Sequence, residues 1–321
     1  MLPLLETRRS LPILGAIAAL VGCAAGSPGA PPSADSSSVL AALRSGPDAQ
    51  HYGNDVYSSQ LYGNDATVYR RKGTSLEPLE TLHGGISAPQ GTVATPGGWW
   101  YLTNGGHADV LIYRTTANGP KGPLGTLDDA GELPINVAVT ADRNLVAVSN
   151  ATGAGSGTGS VSVYLNRSAH SSRVLTYGSD LLQGQGVAID SHGNCFWAFN
   201  DESKPSASGS IVEFDQCNGT GTLVLSGITS AGGIVFDRSG NLYYIDEAKG
   251  IYKCRQTSQC ALFAAGFGLP TNMNFDGKQS HLWVADATGY IDAVNPQTGS
   301  IEQKTLSIDG DPYGIAPAPG S

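Results

Sequence analysis

Charge is scarce in this chain. Asp, Glu, Lys and Arg together make up 14% of its 321 residues, against about 25% in an average soluble domain. The 18 basic residues are outnumbered by 27 acidic ones, a net charge of −9. No basic stripe interrupts that balance, which excludes nucleic acid as a partner and direct electrostatic docking on anionic lipid. No apolar run reaches the roughly 18 residues a spanning helix needs. Three catalytic signatures are absent as well: the Gly-x-Ser-x-Gly elbow, the His-Glu-x-x-His helix and any Cys-His cluster at metal-ligand spacing.

What the chain does have is glycine, 43 residues of it, arranged in a repeat. From Gly85 onward one phrase recurs six times, the last copy cut short. It runs Pro, Gly or Ala, then one residue, then Gly or Asn, then an apolar-alternating run, a turn, and a second β-rich run ending in Asn or Asp. Its clearest copies are Gly184 to Asp201 and Ala231 to Glu247. Aligned on the third position, the copies fall at Gly91, Asn136, Gly186, Gly233, Asn272 and Gly314, at intervals of 45, 50, 47, 39 and 42 residues. That spacing is a propeller-blade period.

Each full unit holds four alternating runs separated by turn residues, which predicts a four-stranded antiparallel meander with strands A to D from the axis outward. The stretch from Val56 to Leu82 supplies only three strands, and Pro312 to Ala316 supplies a lone A strand. Together they complete one blade. The predicted fold is therefore all-β: a six-bladed β-propeller of four-stranded antiparallel blades, closed by a C-terminal velcro strand that removes the exposed edge.

Residues 1–23 read as an export signal. Arg8 and Arg9 precede an apolar core from Leu11 to Val21, and Gly22-Cys23 closes it. The pattern resembles the lipobox of bacterial lipoproteins, which implies lipidation of Cys23 and a protein held to the membrane by that anchor alone. Ala24 after the cysteine points to the outer membrane or cell surface. Residues 24–50, rich in Ser, Pro, Gly and Ala, read as a tether reaching about 30 Å, and residues 51–321 as a single propeller domain, expected to be a monomer.

The four remaining cysteines suit an oxidising compartment. Three pairings are open to them. Cys195 opens strand B of blade 4 and Cys217 follows strand C, while Cys254 ends strand C of blade 5 and Cys260 opens strand D. Antiparallel pairing then predicts Cys195–Cys217 and Cys254–Cys260, with free buried thiols as the alternative.

At Pro89-Gln90-Gly91, Gly186-Val187-Ala188-Ile189-Asp190 and Gly240-Asn241-Leu242-Tyr243-Tyr244-Ile245-Asp246 the wording resembles the NHL and SMP-30 (gluconolactonase-like) six-bladed propellers. The glycine pairs of Kelch blades and the Trp-Asp ending of WD40 blades are missing. The SMP-30 resemblance implies a divalent metal held by a Glu on the first A strand with Asn and Asp further on. Here that strand carries Asp309, Asp311 and Tyr313 instead, and Asn136 and Asp246 are the nearest analogues of the other ligands.

In a propeller the loops leading into strand A and out of strand B open on one face around the axis. Their polar members include Gln90, Asn136, Gln185, Asn272 and Tyr313 before the A strands. After the B strands come Asn104, Asn150, Asn200 with Asp201, Asp246 with Glu247, and Asp286, and His83 and His107 belong to the same face. Asn and Asp after a strand also cap turns by bonding backbone, so each carries a structural alternative. The strands' aromatics, Trp99, Trp100, Trp197, Trp283, Tyr243 and Tyr244, read as core. The candidate ligand-binding residues are Asn136, Asn200, Asp246, Asn272 and Tyr313, with Asn136, Asp246 and Asn272 as an oxygen set suited to Ca²⁺. The leading functional reading is an envelope-anchored binding or scaffold propeller for a protein or glycan. The alternative is a Ca²⁺-dependent lactonase or esterase of the SMP-30 type.

Overall fold

The computed structural model describes residues 54–116, 119–153, 158–178, 181–204 and 208–318. The signal, Cys23 and the tether lie outside them. Blade 1 takes β1 (Asp55–Gln60), β2 (Asp65–Lys72) and β3 (Ser75–Leu82); blade 2 takes β4 (Pro89–Thr95), β5 (Trp99–Asn104), β6 (Asp109–Thr116) and β7 (Gly119–Asp128). Blade 3 is β8 (Glu132–Val139), β9 (Leu145–Gly153), β10 (Ser160–Leu165) and β11 (Arg173–Leu175). Blade 4 is β12 (Leu182–Ile189), β13 (Cys195–Asp201), β14 (Gly209–Phe214) and β15 (Thr222–Ile228). Blade 5 is β16 (Ala231–Phe236), β17 (Leu242–Asp246), β18 (Gly250–Arg255) and β19 (Ser258–Ala264). Blade 6 is β20 (Pro270–Phe275), β21 (Leu282–Asp286), β22 (Tyr290–Val294) and β23 (Ile301–Leu306), and β24 (Pro312–Pro317) returns to blade 1.

Each sheet is a four-stranded antiparallel meander, and the first has the order β24-β1-β2-β3. Tyr57 pairs with Ala316 and Ser58 with Ile315, so the C-terminal strand occupies the innermost position of blade 1 as predicted. Successive inner strands touch all the way round, from β24 through β4, β8, β12, β16 and β20 back to β24.

The core lies between blades. Alternation along each strand sends one set of side chains into each neighbouring blade, and Trp100, Trp197, Trp283 and Tyr243 are all buried there. Trp197 Nε1 donates to Ser149 Oγ of the preceding blade at 3.0 Å, so this large ring is buried with its one polar atom paired. Disulfides join Cys195 to Cys217 and Cys254 to Cys260.

The inner strands start earlier than the sequence suggests, at Pro89, Glu132, Leu182, Ala231 and Pro270. The added residues are separated from the regular ladder by a bulge. In every blade the A–B register skips at the second or third position of the phrase: between Pro89 and Thr92, Pro134 and Asn136, Gly184 and Val187, Ala231 and Ile234, and Pro270 and Asn272. In blade 1 the skipped residue is Tyr313. A bulge leaves its extra residue unpaired and re-aims it. Six bulges at one level thus ring the axis with unpaired residues.

The glycines of the phrase answer to that crowding. A Cβ on Gly91 would lie 2.5 Å from Asn136 Cα, and one on Gly314 would lie 2.0 Å from Gln90 O. Neighbouring inner strands could not approach this closely with a larger residue at either place.

Candidate functional site at the axial mouth

The inner strands of blades 2 to 6 enclose a cavity of about 140 Å³ on the axis. Its walls are mostly apolar, with Val93, Val187 and Ile234 among them, and its polar members are Asn136, Asn272 and Asn274. Asn274 is spoken for, because its Nδ2 donates to Ile315 O at 2.7 Å and Thr92 O at 3.2 Å, tying three inner strands together. Asn272 is different. It is 4% exposed and its Oδ1 has no hydrogen-bond partner among the described residues. A buried amide oxygen without a donor costs on the order of 1–3 kcal/mol. Asn136, from the opposite blade, lines the same cavity.

Asn200 and Asp246 are not among the residues lining this cavity. Asn200 Oδ1 accepts from Ala231 N at 2.8 Å and its Nδ2 donates to Ala231 O at 3.3 Å. Both ends of that amide staple blade 4 to blade 5. Asp246 accepts from Thr229 N at 3.0 Å and Ala248 N at 3.2 Å and lies 3.3 Å from Lys249 Nζ. Asn104 and Asp286 hold the same position in their blades and do the same work, accepting from Ser87 N, and from Gly268 N and Leu269 N. The capping alternative therefore describes these strand ends.

Tyr313 stands on the rim. Thr271 Oγ1 donates to its carbonyl at 2.9 Å, and its ring meets Tyr62 edge-on at 6.1 Å between centroids. Burial first, then the Tyr62 phenol and the charges of Glu247 and Asp311, push the Tyr313 phenol above its ordinary range. Glu247 is the group that reading the strand ends undervalued. Asp246 ends β17 with its carboxylate on the backbone of the adjoining turns, while Glu247, the first residue past the strand, sits close enough to act on Tyr313. Ser230 Oγ donates to Glu247 Oε2 at 2.7 Å. Burial raises the Glu247 carboxyl to about 7, Asp246 adds to the rise, and the Ser230 bond works against both.

Among the described residues no group of three or more His, Cys, Asp or Glu is set to hold a metal. The cavity offers the amide oxygens of Asn136 and Asn272 instead. That donor set is hard and oxygen-only, which suits Ca²⁺ rather than a softer ion, and the unpartnered Asn272 Oδ1 fits such a ligand.

Fold and site together define a six-bladed propeller with a narrow axial cavity, rimmed by unpaired bulge residues. No protein-family model matches the sequence, and no curated protein does. Solved structures do. The chain is similar to regucalcin of Agrobacterium tumefaciens, described as a calcium-binding protein, with 13% identity, a TM-score of 0.55 and coverage of 71% of this chain and 77% of that one. It is similar to a luciferin-regenerating enzyme at 13% identity and TM-score 0.53, covering 70% and 78%. Hydrazine synthase of Kuenenia stuttgartiensis aligns at 11% identity and TM-score 0.57, covering 82% and 86%. At such identities the likeness shows the fold alone.

Proposed function

We propose that the chain is a hydrolase of lactones or simple esters working at the axial mouth, the second of the two functions its sequence leaves open. The observation that carries this reading is Glu247, whose carboxyl, raised to about 7, lies beside the rim. A carboxyl in that range exchanges protons efficiently near neutral pH. Glu247 takes the proton of an attacking water as its oxygen bonds to the substrate carbonyl carbon, then returns it to the alkoxide released when the ester C–O bond breaks. The Asn136 and Asn272 amides hold the carbonyl end of the substrate in the cavity, and the apolar walls keep bulk water from it. Ca²⁺, when bound by the Asn136 and Asn272 oxygens, would polarise the carbonyl and help ionise the water. The names of the regucalcin and luciferin-regenerating neighbours agree with such a role. Lactone and p-nitrophenyl ester hydrolysis, measured with and without Ca²⁺, tests it. Glu247→Gln is expected to cut kcat/KM by about 10²-fold or more, and turnover equal to wild type in that variant, or none in the wild type, overturns it.

A second reading has its own observation. Tyr62 is 58% exposed and set edge-on to Tyr313 at the same mouth, a pair of rings suited to a sugar face or a peptide. An envelope-anchored binding or scaffold propeller for a glycan or protein would use them. In either reading the chain is exported and held by lipid at Cys23 as a monomer, so Cys23→Ala should move it from the membrane to the soluble fraction.

A further inference from the structure

Away from the axis, blade 1 carries a buried polar face. Register puts Ser58 opposite Thr67 and Gln60 opposite Asp65, and Thr67 opposite Thr81, so these five side chains share one side of β1, β2 and β3. Against them lies the segment between β23 and β24. Asp309 Oδ2 accepts from Thr67 Oγ1 at 2.5 Å and Thr81 Oγ1 at 2.8 Å. Ser307 Oγ meets Gln60 Nε2 at 3.3 Å and Tyr69 OH at 3.3 Å.

Three buried oxygens in this cluster have no hydrogen-bond partner among the described residues: Ser58 Oγ, Gln60 Oε1 and Asp65 Oδ1. Ser58 and Gln60 are 0% exposed and Asp65 5%. Gln60 is fixed through its nitrogen to Ser307, which leaves its oxygen to the Asp65 side of the hairpin. Three unpaired oxygens in one place would cost several kcal/mol if nothing answered them. Burial, and then the charge of Asp309, hold the Asp65 carboxyl up to about 6, with His83 pulling the other way. Two acids are thus pressed together where oxygens already lack donors, and a further hydrogen-bond acceptor would worsen both problems.

We propose that Asp65, Asp309 and the Gln60 side-chain oxygen form a binding site for a hard divalent cation at the seam that closes the ring. Ca²⁺ is the ion the chemistry selects, because it takes mixed carboxylate, amide and hydroxyl oxygens in irregular geometry, whereas Mg²⁺ demands a regular octahedron. The ion answers the unpaired oxygens and neutralises the two acids. It also joins the hairpin of β1 and β2 to the segment leading into β24, so binding is linked to closure. This site is independent of the axial mouth and of any hydrolysis there.

The test is thermal unfolding with EDTA or millimolar Ca²⁺, alongside Tb³⁺ luminescence sensitised by Tyr69, whose phenol lies next to Ser307. Wild type should gain about 4 °C with Ca²⁺ and show Tb³⁺ emission that Ca²⁺ displaces. In the Asn136→Ala/Asn272→Ala background, Asp65→Asn and Asp309→Asn should each lose both responses while keeping the far-ultraviolet β signature, and Asp65→Asn should melt higher than its metal-free parent because the repulsion is gone. The Asn136→Ala/Asn272→Ala variant should keep the seam response even where an axial one is lost. Should either aspartate variant fail to fold, Gln60→Leu replaces it with the same expectation. A wild type indifferent to both ions overturns the proposal, as does a response that survives in the aspartate variants or vanishes in the asparagine pair.

Discussion

Arg71 Nη1 lies 2.7 Å from Asp276 Oδ2, joining β2 of blade 1 to the turn after β20 of blade 6 with both side chains buried. Ser280 adds its backbone N–H at 2.7 Å and its hydroxyl at 2.6 Å to the same carboxylate. Burial alone would raise the Asp276 pKa, but the Ser280 bonds and the Arg71 charge outweigh it and hold the group below its ordinary value. Arg71→Met leaves that carboxylate short of its charge partner and should cost about 3 kcal/mol, read from the urea midpoint. Because the folded pKa is depressed, Asp276 stabilises the fold above about pH 4 and loses that contribution as pH falls through the folded value. In Arg71→Met the loss should begin at a higher pH.

Asn200 and Asn272 carry the same side chain in opposite circumstances. Asn200→Ala strips partners from both Ala231 N and Ala231 O, and should cost about 2 kcal/mol. Asn272→Ala removes a buried oxygen that has no partner, so stability should hold or rise, by up to about 1–3 kcal/mol. Equal losses in chemical denaturation would contradict the division of these residues into staple and site.

The two disulfides close loops of very different size, 22 residues for Cys195–Cys217 and 6 for Cys254–Cys260. Loop-closure entropy assigns them about 3 and about 2 kcal/mol. Replacing each pair with serine should therefore lower the urea midpoint more for the first than for the second, and Ellman titration of the unfolded, oxidised wild type should find neither pair free.

Glu247 predicts a pH dependence of the opposite sign to Asp276. Its folded pKa of about 7 lies above the unfolded value near 4.3. The stability this group confers is full below that unfolded value and is lost as pH rises to about 7. Glu247→Gln removes the titration, so the melting temperature of the variant relative to wild type should climb between pH 4.5 and 7 and level off above. A constant difference across that range would show that Glu247 titrates normally.

The repeat made the architecture legible, since a phrase every 39 to 50 residues with a three-strand start and a one-strand end has one closed solution. The cysteine pairs followed from strand order, because antiparallel neighbours put Cys254 opposite Cys260. The site was legible only in outline. The phrase marks where strand A begins and so points to Asn136 and Asn272, which line the axial cavity, and to Tyr313, but the bulges beside them leave no trace in an alternation pattern interrupted by glycine. Asn200 and Asn272 cannot be told apart as letters; the neighbouring strand's free backbone decides which is a staple. Asp246 closes β17 and Glu247 opens the turn after it, a boundary that letters alone do not mark. The polar face of blade 1 was hidden for another reason, since Gln60 and Thr67 meet Ser307 and Asp309 across some 240 residues of chain.

The pairing of β24 with β1 also sets an order of events. The strand that sits innermost in blade 1 is the last to be synthesised, so until Pro312–Pro317 arrives β1 shows a bare edge and blades 2 and 6 flank a gap. Five and three-quarter blades form an arc, and an arc with an unpaired edge invites another chain to fill it. A chain interrupted before Pro312 would be exposed as incomplete by that edge, to proteases and to its own copies alike.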